Sequence, residues 1–197
     1  MKLKSLVSKI KRCELCQPHL PLGPRPVLQV HEEARVLIAG QAPGIRVHQS
    51  GVPFDDPSGD RLREWMGVDK TVFYDSKQVA IVPMGFCYPG TGKSGDLPPR
   101  KECADTWRQP LLDKLPNIKL QLVIGQYAHK WHLESLQKNL TETVKHWRDY
   151  GRAVLPLPHP SPKNNIWLKK NPWFVEELVP ELRRRVRKAL GTVKSNK

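Results

Sequence analysis

Four cysteines are the side chains whose spacing speaks most directly of chemistry. Cys13 and Cys16 form a Cys-x-x-Cys pair, while Cys87 and Cys103 lie across a loop rich in proline and glycine. The pair brings two sulfurs to one point, and the loop can return the other two to the same place. In a reducing compartment disulfides are disfavoured, so a shared metal centre is the chemical reading. Four thiolates suit tetrahedral zinc or an iron–sulfur cluster; structural zinc more often uses two tight pairs, and here one pair is tight. A second group of residues sits in short, conformationally restricted stretches: Gly40-Gln41-Ala42-Pro43-Gly44, Pro83-Met84-Gly85-Phe86, and Pro158-His159-Pro160-Ser161-Pro162. Glycine lets a backbone approach a ligand closely, proline fixes the shape of the loop, and an imidazole held there can donate a hydrogen bond.

One nucleotide-binding pattern is excluded. Gly90-Thr91-Gly92-Lys93-Ser94 resembles the end of a phosphate-binding loop, yet Cys87 stands where the pattern requires glycine. The Gly95-Asp96-Leu97-Pro98-Pro99 that follows is no helix start of the kind that cradles phosphate, so nucleotide hydrolysis is rejected.

The elements that must position these groups follow from the apolar pattern. Val36-Leu37-Ile38-Ala39, Val79-Ala80-Ile81-Val82, Leu122-Val123-Ile124 and Ala153-Val154-Leu155 read as buried strands. Helices are expected at about residues 60–66, 100–115, 126–136 and 172–190, the last carrying Phe174, Leu178, Leu182, Val186 and Leu190 at intervals of four. Alternating strands and helices, with strands apolar on both faces, predict an α/β fold. It should be a three-layer αβα sandwich around a mostly parallel, roughly four-stranded sheet. Ligands in such folds sit beyond the carboxyl ends of the strands, where the glycine- and proline-rich loops fall.

Composition bounds the rest. The 197 residues suit one domain, read as 1–197 with basic tails at about 1–12 and 191–197. With 33 Lys+Arg against 19 Asp+Glu, the formal net charge is +14, which draws the chain towards a polyanion such as nucleic acid. No apolar run suits a membrane span, and the first residues lack the pattern of a secretory signal. A soluble, cytoplasmic monomer with no membrane partner is therefore expected.

Together the motifs resemble those of the uracil-DNA glycosylase superfamily. The likeness rests on Gly40-Gln41-Ala42-Pro43-Gly44, on Gly51-Val52-Pro53-Phe54, on the four cysteines, and on His159-Pro160-Ser161-Pro162, in that family's order and spacing. The closest branch is the iron–sulfur one, family 4, and the likeness runs from Cys13 to about Leu182. It implies a DNA glycosylase of base-excision repair, acting on uracil or another deaminated base flipped out of DNA. A 4Fe–4S cluster would be held by Cys13, Cys16, Cys87 and Cys103, with zinc as the alternative. Within that resemblance His159 and Gln41 are catalytic, and Phe54, Ala42 and Gly40 bind the base. Pro43, Gly44, Ser161 and Lys163 meet the DNA backbone. Without the resemblance, Phe54 reads as readily as a core phenylalanine.

The sequence also departs from the family. Gln41 stands where family 4 has glutamate, and an amide cannot act as a general base, though it can hold a water. Pro83 replaces an asparagine that reads the base edge. Asp55, Asp56 and Asp60 follow Phe54, and one of them could activate water, or they could simply cap the turn at Pro57-Ser58-Gly59. These departures leave a second reading open, a catalytically weak or inactive relative that binds damaged or single-stranded DNA.

Overall fold

The computed structural model describes residues 1–93 and 95–191. In chain order the elements are α1 (Leu3–Lys11), β1 (Val36–Ala39), α2 (Ile45–Ser50), α3 (Pro57–Met66), α4 (Lys70–Tyr74) and β2 (Val79–Ile81). A small hairpin, β3 (Thr91–Gly92) and β4 (Gly95–Asp96), precedes α5 (Lys101–Leu112), β5 (Leu120–Ile124), α6 (Gly125–His132) and α7 (Leu140–Lys145). The chain closes with β6 (Val154–Leu157), α8 (Asn165–Lys170), a π-helical turn at Phe174–Leu178, and α9 (Val179–Leu190).

The four strands β2-β1-β5-β6 form one sheet in which every pairing is parallel. Parallel neighbours need crossovers, and the helices supplying them cover both faces. Successive strand residues point to opposite faces. Val36, Ile38, Leu122 and Leu155 pack on α3, α9 and the π-helical turn, while Leu37, Ala80 and Val82 pack on α1 and α5. Ala39 and Val123 meet α6 through Ala128 on that second side. The expected three-layer α/β sandwich is thus the observed fold.

Two segments differ from the expectation. The amino-terminal stretch, read as a basic tail, is a docked helix. Leu3, Leu6 and Ile10 share one face of α1 and are buried against the sheet and α5, while its lysines stay exposed. The charge masked an ordinary amphipathic spacing. At the other end Gly191 caps α9 in a left-handed conformation. The remainder of the expected carboxy-terminal tail, 192–197, lies outside the described residues. The second difference is the β3–β4 hairpin, which occupies the place of the rejected phosphate loop.

Because Ile10 is fully buried between α1 and the second core layer, Ile10→Ala is expected to cost about 2–5 kcal/mol. Denaturant unfolding measures this. A loss within error of zero would mean α1 is not part of the cooperative core.

Candidate active site

The pocket begins where β1 ends. Beyond the strand, the amides of Met84 and Gly85 donate to the carbonyls of Gly40 and Gln41 at 2.8 and 2.9 Å, so the two loops stay zipped together past the sheet. A trans peptide sets each carbonyl opposite the next amide. The Gln41 and Ala42 N–H groups therefore point away from residues 84 and 85. A cavity of about 380 Å³ opens above these loops. All the residues expected at a base or phosphate border it: residues 40–44, Phe54, His159, Ser161 and Lys163. Pro83 lines it too, where the resemblance would place an asparagine.

Phe54 is held in a costly conformation. Among the described residues it is the one non-glycine with positive φ, 56°, a region that side chains other than Asn and Asp seldom occupy. Its ring lies against Gly40, whose Cβ position would be 3.5 Å from the ring edge, and meets Phe73 edge-on at 6.1 Å. Its carbonyl presses on α3 so closely that a Cβ at Gly59 would stand 1.8 Å from the oxygen. Tyr74 donates its hydroxyl to the same carbonyl at 3.3 Å and accepts from Arg63 at 3.1 Å. Arg63 is buried over the Phe73 and Tyr74 rings and pairs with Asp60. Phe54 is thus a pocket wall fixed from behind rather than filler of the core. Glycine at 59 carries that constraint, and no periodicity in the sequence announces it.

The same geometry sorts the three aspartates. Asp60 is the ion-pair partner of Arg63. Asp55 is not among the residues bordering the cavity, whereas Asp56 is. Asp56 also caps α3, accepting the Gly59 amide at 2.8 Å through one oxygen, so the capping and functional readings coexist in one side chain.

His159 faces these groups from the loop after β6. Burial lowers its pKa below the ordinary 6.5, and the negative charges of Asp56 and Asp96 oppose that shift without reversing it. Its loop is fixed by Asn164, which donates to the His159 carbonyl at 2.7 Å. Arg61 adds a second tie, donating to the Ser161 carbonyl at 2.9 Å and to Asn165 Oδ1 at 2.7 Å. Ser161 Oγ accepts the Lys163 amide at 3.2 Å. Gln41 reaches sideways: its Nε2 donates to the Leu97 carbonyl at 3.3 Å, so the side chain braces the β3–β4 hairpin. That hairpin brings in Asp96, which sequence reasoning missed. A carboxylate in a glycine-rich turn carries no pattern, and only the fold places it on the cavity.

The four cysteines border one small cavity of about 20 Å³ beneath the 83–90 loop, together with Trp107 and Arg100. Two of the sulfurs accept N–H donors. Trp107 Nε1 reaches Cys13 at 3.2 Å and the Phe86 amide reaches Cys103 at 3.3 Å. The Arg100 guanidinium and the Arg25 backbone lie near Cys16 and Cys87. Burial pushes the Cys87 thiol up to about 11 and Cys103 up to about 12. Arg100 Nε is buried with no acceptor among the described residues. Also among the described residues, no group of three or more His, Cys, Asp or Glu side chains already has metal-holding geometry.

Three outcomes follow for the pocket. Gly59→Ala is expected to cost about 1–3 kcal/mol of stability, because the Phe54 carbonyl must move. Tyr74→Phe should cost about 1 kcal/mol, the value of one hydrogen bond; urea unfolding reads both, and a neutral Gly59→Ala would contradict the described contact. In an NMR titration the His159 ring should change charge below pH 6.5. Since its folded pKa is the lower one, its contribution to stability is complete above about 6.5 and is lost as the pH falls towards that folded value.

The described helices include none long and apolar enough to cross a membrane. The sequence profile of the Uracil DNA glycosylase superfamily matches residues 29–183, which takes in the loops after β1, β2 and β6 and the pocket they form. On that match, together with a parallel α/β sheet carrying its cavity beyond the strand ends, the chain belongs to the uracil DNA glycosylase superfamily.

Proposed function

We propose that the protein is a DNA glycosylase of the superfamily's iron–sulfur branch, hydrolysing the N-glycosidic bond of uracil or another deaminated base flipped out of DNA. The observation that carries this reading is the meeting of Phe54, Asp56 and His159 on one cavity beyond the strand ends. A base entering there stacks on the Phe54 ring. The neutral His159 imidazole donates to a base oxygen, where negative charge grows as the bond breaks. The Gln41 and Ala42 amides supply further donors close by. Asp56 takes the part that Gln41 cannot. Its carboxylate accepts a proton from water as the water oxygen bonds to the sugar C1′, and the bonding pair of the glycosidic bond leaves with the base. Asp56 also favours the positive charge that develops on the sugar. Pro43, Gly44, Ser161 and Lys163 at the rim meet the phosphates, which positions the strand without reading its sequence.

The four cysteines fit a 4Fe–4S cluster, with zinc as the alternative. The fit rests on four sulfurs around one cavity, N–H donors at Cys13 and Cys103, and an Arg100 Nε that an anionic centre would satisfy. Their high thiol pKa values mean that thiolates form there only against strong positive charge. Such a cluster supplies no step of base release; it ties the segment after α1 to the 83–103 loop. The bracing of Gln41 against Leu97 favours one other reading, a relative that binds the flipped base without cleaving.

Base release is tested by alkaline cleavage of abasic sites in oligonucleotides carrying uracil, hypoxanthine, xanthine or normal bases. Wild type should yield abasic product. His159→Ala should be slower by about 10²–10³-fold, and Asp56→Asn by about 10²–10⁴-fold. Salt-sensitive binding with no product from metal-loaded protein would leave the binding module instead. Iron with acid-labile sulfide identifies the cluster, and zinc without sulfide identifies the alternative. Cys103→Ser should lose the metal and lower the melting temperature.

A further inference from the structure

The 40–44 loop lacks a side chain at its far end, and the β3–β4 hairpin fills that place with a carboxylate. Asp96 Oδ2 lies 3.3 Å from the position a Cβ at Gly44 would take, and both residues border the cavity. The hairpin is built to hold it there. Tyr88 and Thr91 share a 2.5 Å hydroxyl contact, and Thr91 donates to Asp96 Oδ1 at 3.3 Å. Gln41 Nε2 bonds the next carbonyl, Leu97. On the other side Lys163 Nζ lies 3.8 Å from the Cβ position of Gly95. With its nitrogen spent on Leu97, Gln41 has its side-chain oxygen left to offer. This wall of the pocket therefore presents acceptors, while His159 presents a donor.

We infer that Asp96 is the residue that reads the base edge, selecting lactam bases by accepting their ring N–H. The inference rests on the glycosylase reading of the same cavity. Its chemistry follows from what deamination does to a base. Cytosine and adenine present an unprotonated ring nitrogen beside their amino group, and hydrolysis of the amine leaves a carbonyl with an N–H in its place. A carboxylate accepts and cannot donate. It bonds that N–H and repels the lone pair of the undamaged base. His159 takes the neighbouring carbonyl, so the two side chains match the N–H and C=O of a lactam. Pro83 cannot do this, having neither a side-chain donor nor an acceptor, and the hairpin supplies the missing reader. A site built to bond a substrate N–H rejects the analogue that lacks it far more strongly than an apolar pocket can.

The test compares uracil and hypoxanthine in DNA with their ring-N-methylated counterparts and with cytosine and adenine, measuring single-turnover base release. Wild type should prefer the N–H form over the N-methyl form by about 100-fold or more. In Asp96→Asn and Asp96→Ala that preference should narrow by about tenfold or more, the alanine also making room for the methyl group. Thr91→Val, which removes the hydroxyl that holds Asp96 and leaves the carboxylate, should narrow the preference clearly less than either Asp96 variant does. An unchanged preference in both Asp96 variants, with base release still measurable, overturns the assignment and leaves the glycosylase reading intact. A Thr91→Val variant that loses the preference to the same degree assigns the effect to hairpin shape and overturns the assignment too. No release by wild type from any base overturns the reading and the assignment together.

Discussion

The pairing of β1 on both edges, with β2 and with β5, is the constraint on which the rest of the molecule depends. Both pairings are parallel, the one with β2 running to Ile38 and the one with β5 to Ala39. Between β1 and β2 the hydrogen bonding then continues into residues that are no longer strand, Gly40 and Gln41 on one side and Met84 and Gly85 on the other. This extension turns two loops into a rigid lip. It fixes which way the loop amides face, gives Phe54 a flat surface at Gly40 to lie against, and sets where the chain departs towards Cys87. The pocket and the cysteine cavity are therefore two consequences of one zipper, opening on either side of the 83–87 segment.

Charge is arranged around that segment with care. Arg108 is fully buried in α5 and donates through one nitrogen to the Val82 and Pro83 carbonyls, at 3.0 and 2.9 Å. Its remaining nitrogens meet His132 Nε2, and its plane lies over Trp131. Burial draws its pKa down to about 9, and burial with the nearby guanidinium takes His132 down to about 3. A neutral imidazole accepting from a buried cation satisfies donors that, among the described residues, no carboxylate reaches, and it anchors the strand end that carries Pro83 from behind. The pocket side is the mirror of this. There a half-buried histidine, its charged form disfavoured by desolvation, stands near the carboxylates of Asp56 and Asp96, with Lys163 also on the cavity.

The sheet was legible because buried parallel strands are continuous apolar runs, and all four stand within a few residues of where those runs place them. The lip and the His159 loop were legible as glycine and proline clusters, whose meaning came from their order along the chain. Other features had no local signature. α1 hid behind its lysines, since a count of charges ignores that Leu3, Leu6 and Ile10 recur on one face. Three aspartates after Phe54 looked alike, and only the tertiary contacts separate the Arg63 partner from the cavity residue. The left-handed backbone of Phe54 could not be read from phenylalanine, which disfavours it; the neighbouring Gly59 is the residue that permits it. Asp96 depended on a short hairpin folding back over the lip, a long-range event with no periodic trace.

The central claim is that this cavity receives one base from DNA, between Phe54 and His159. A crystal structure of the protein with DNA carrying 2′-fluoro-deoxyuridine, which resists glycosidic cleavage, tests it most directly. The nucleotide should be rotated out of the helix, its base stacked on the Phe54 ring with a carbonyl oxygen at the His159 imidazole. DNA bound with its bases all stacked and the cavity unentered, or bound on another face of the protein, would contradict it.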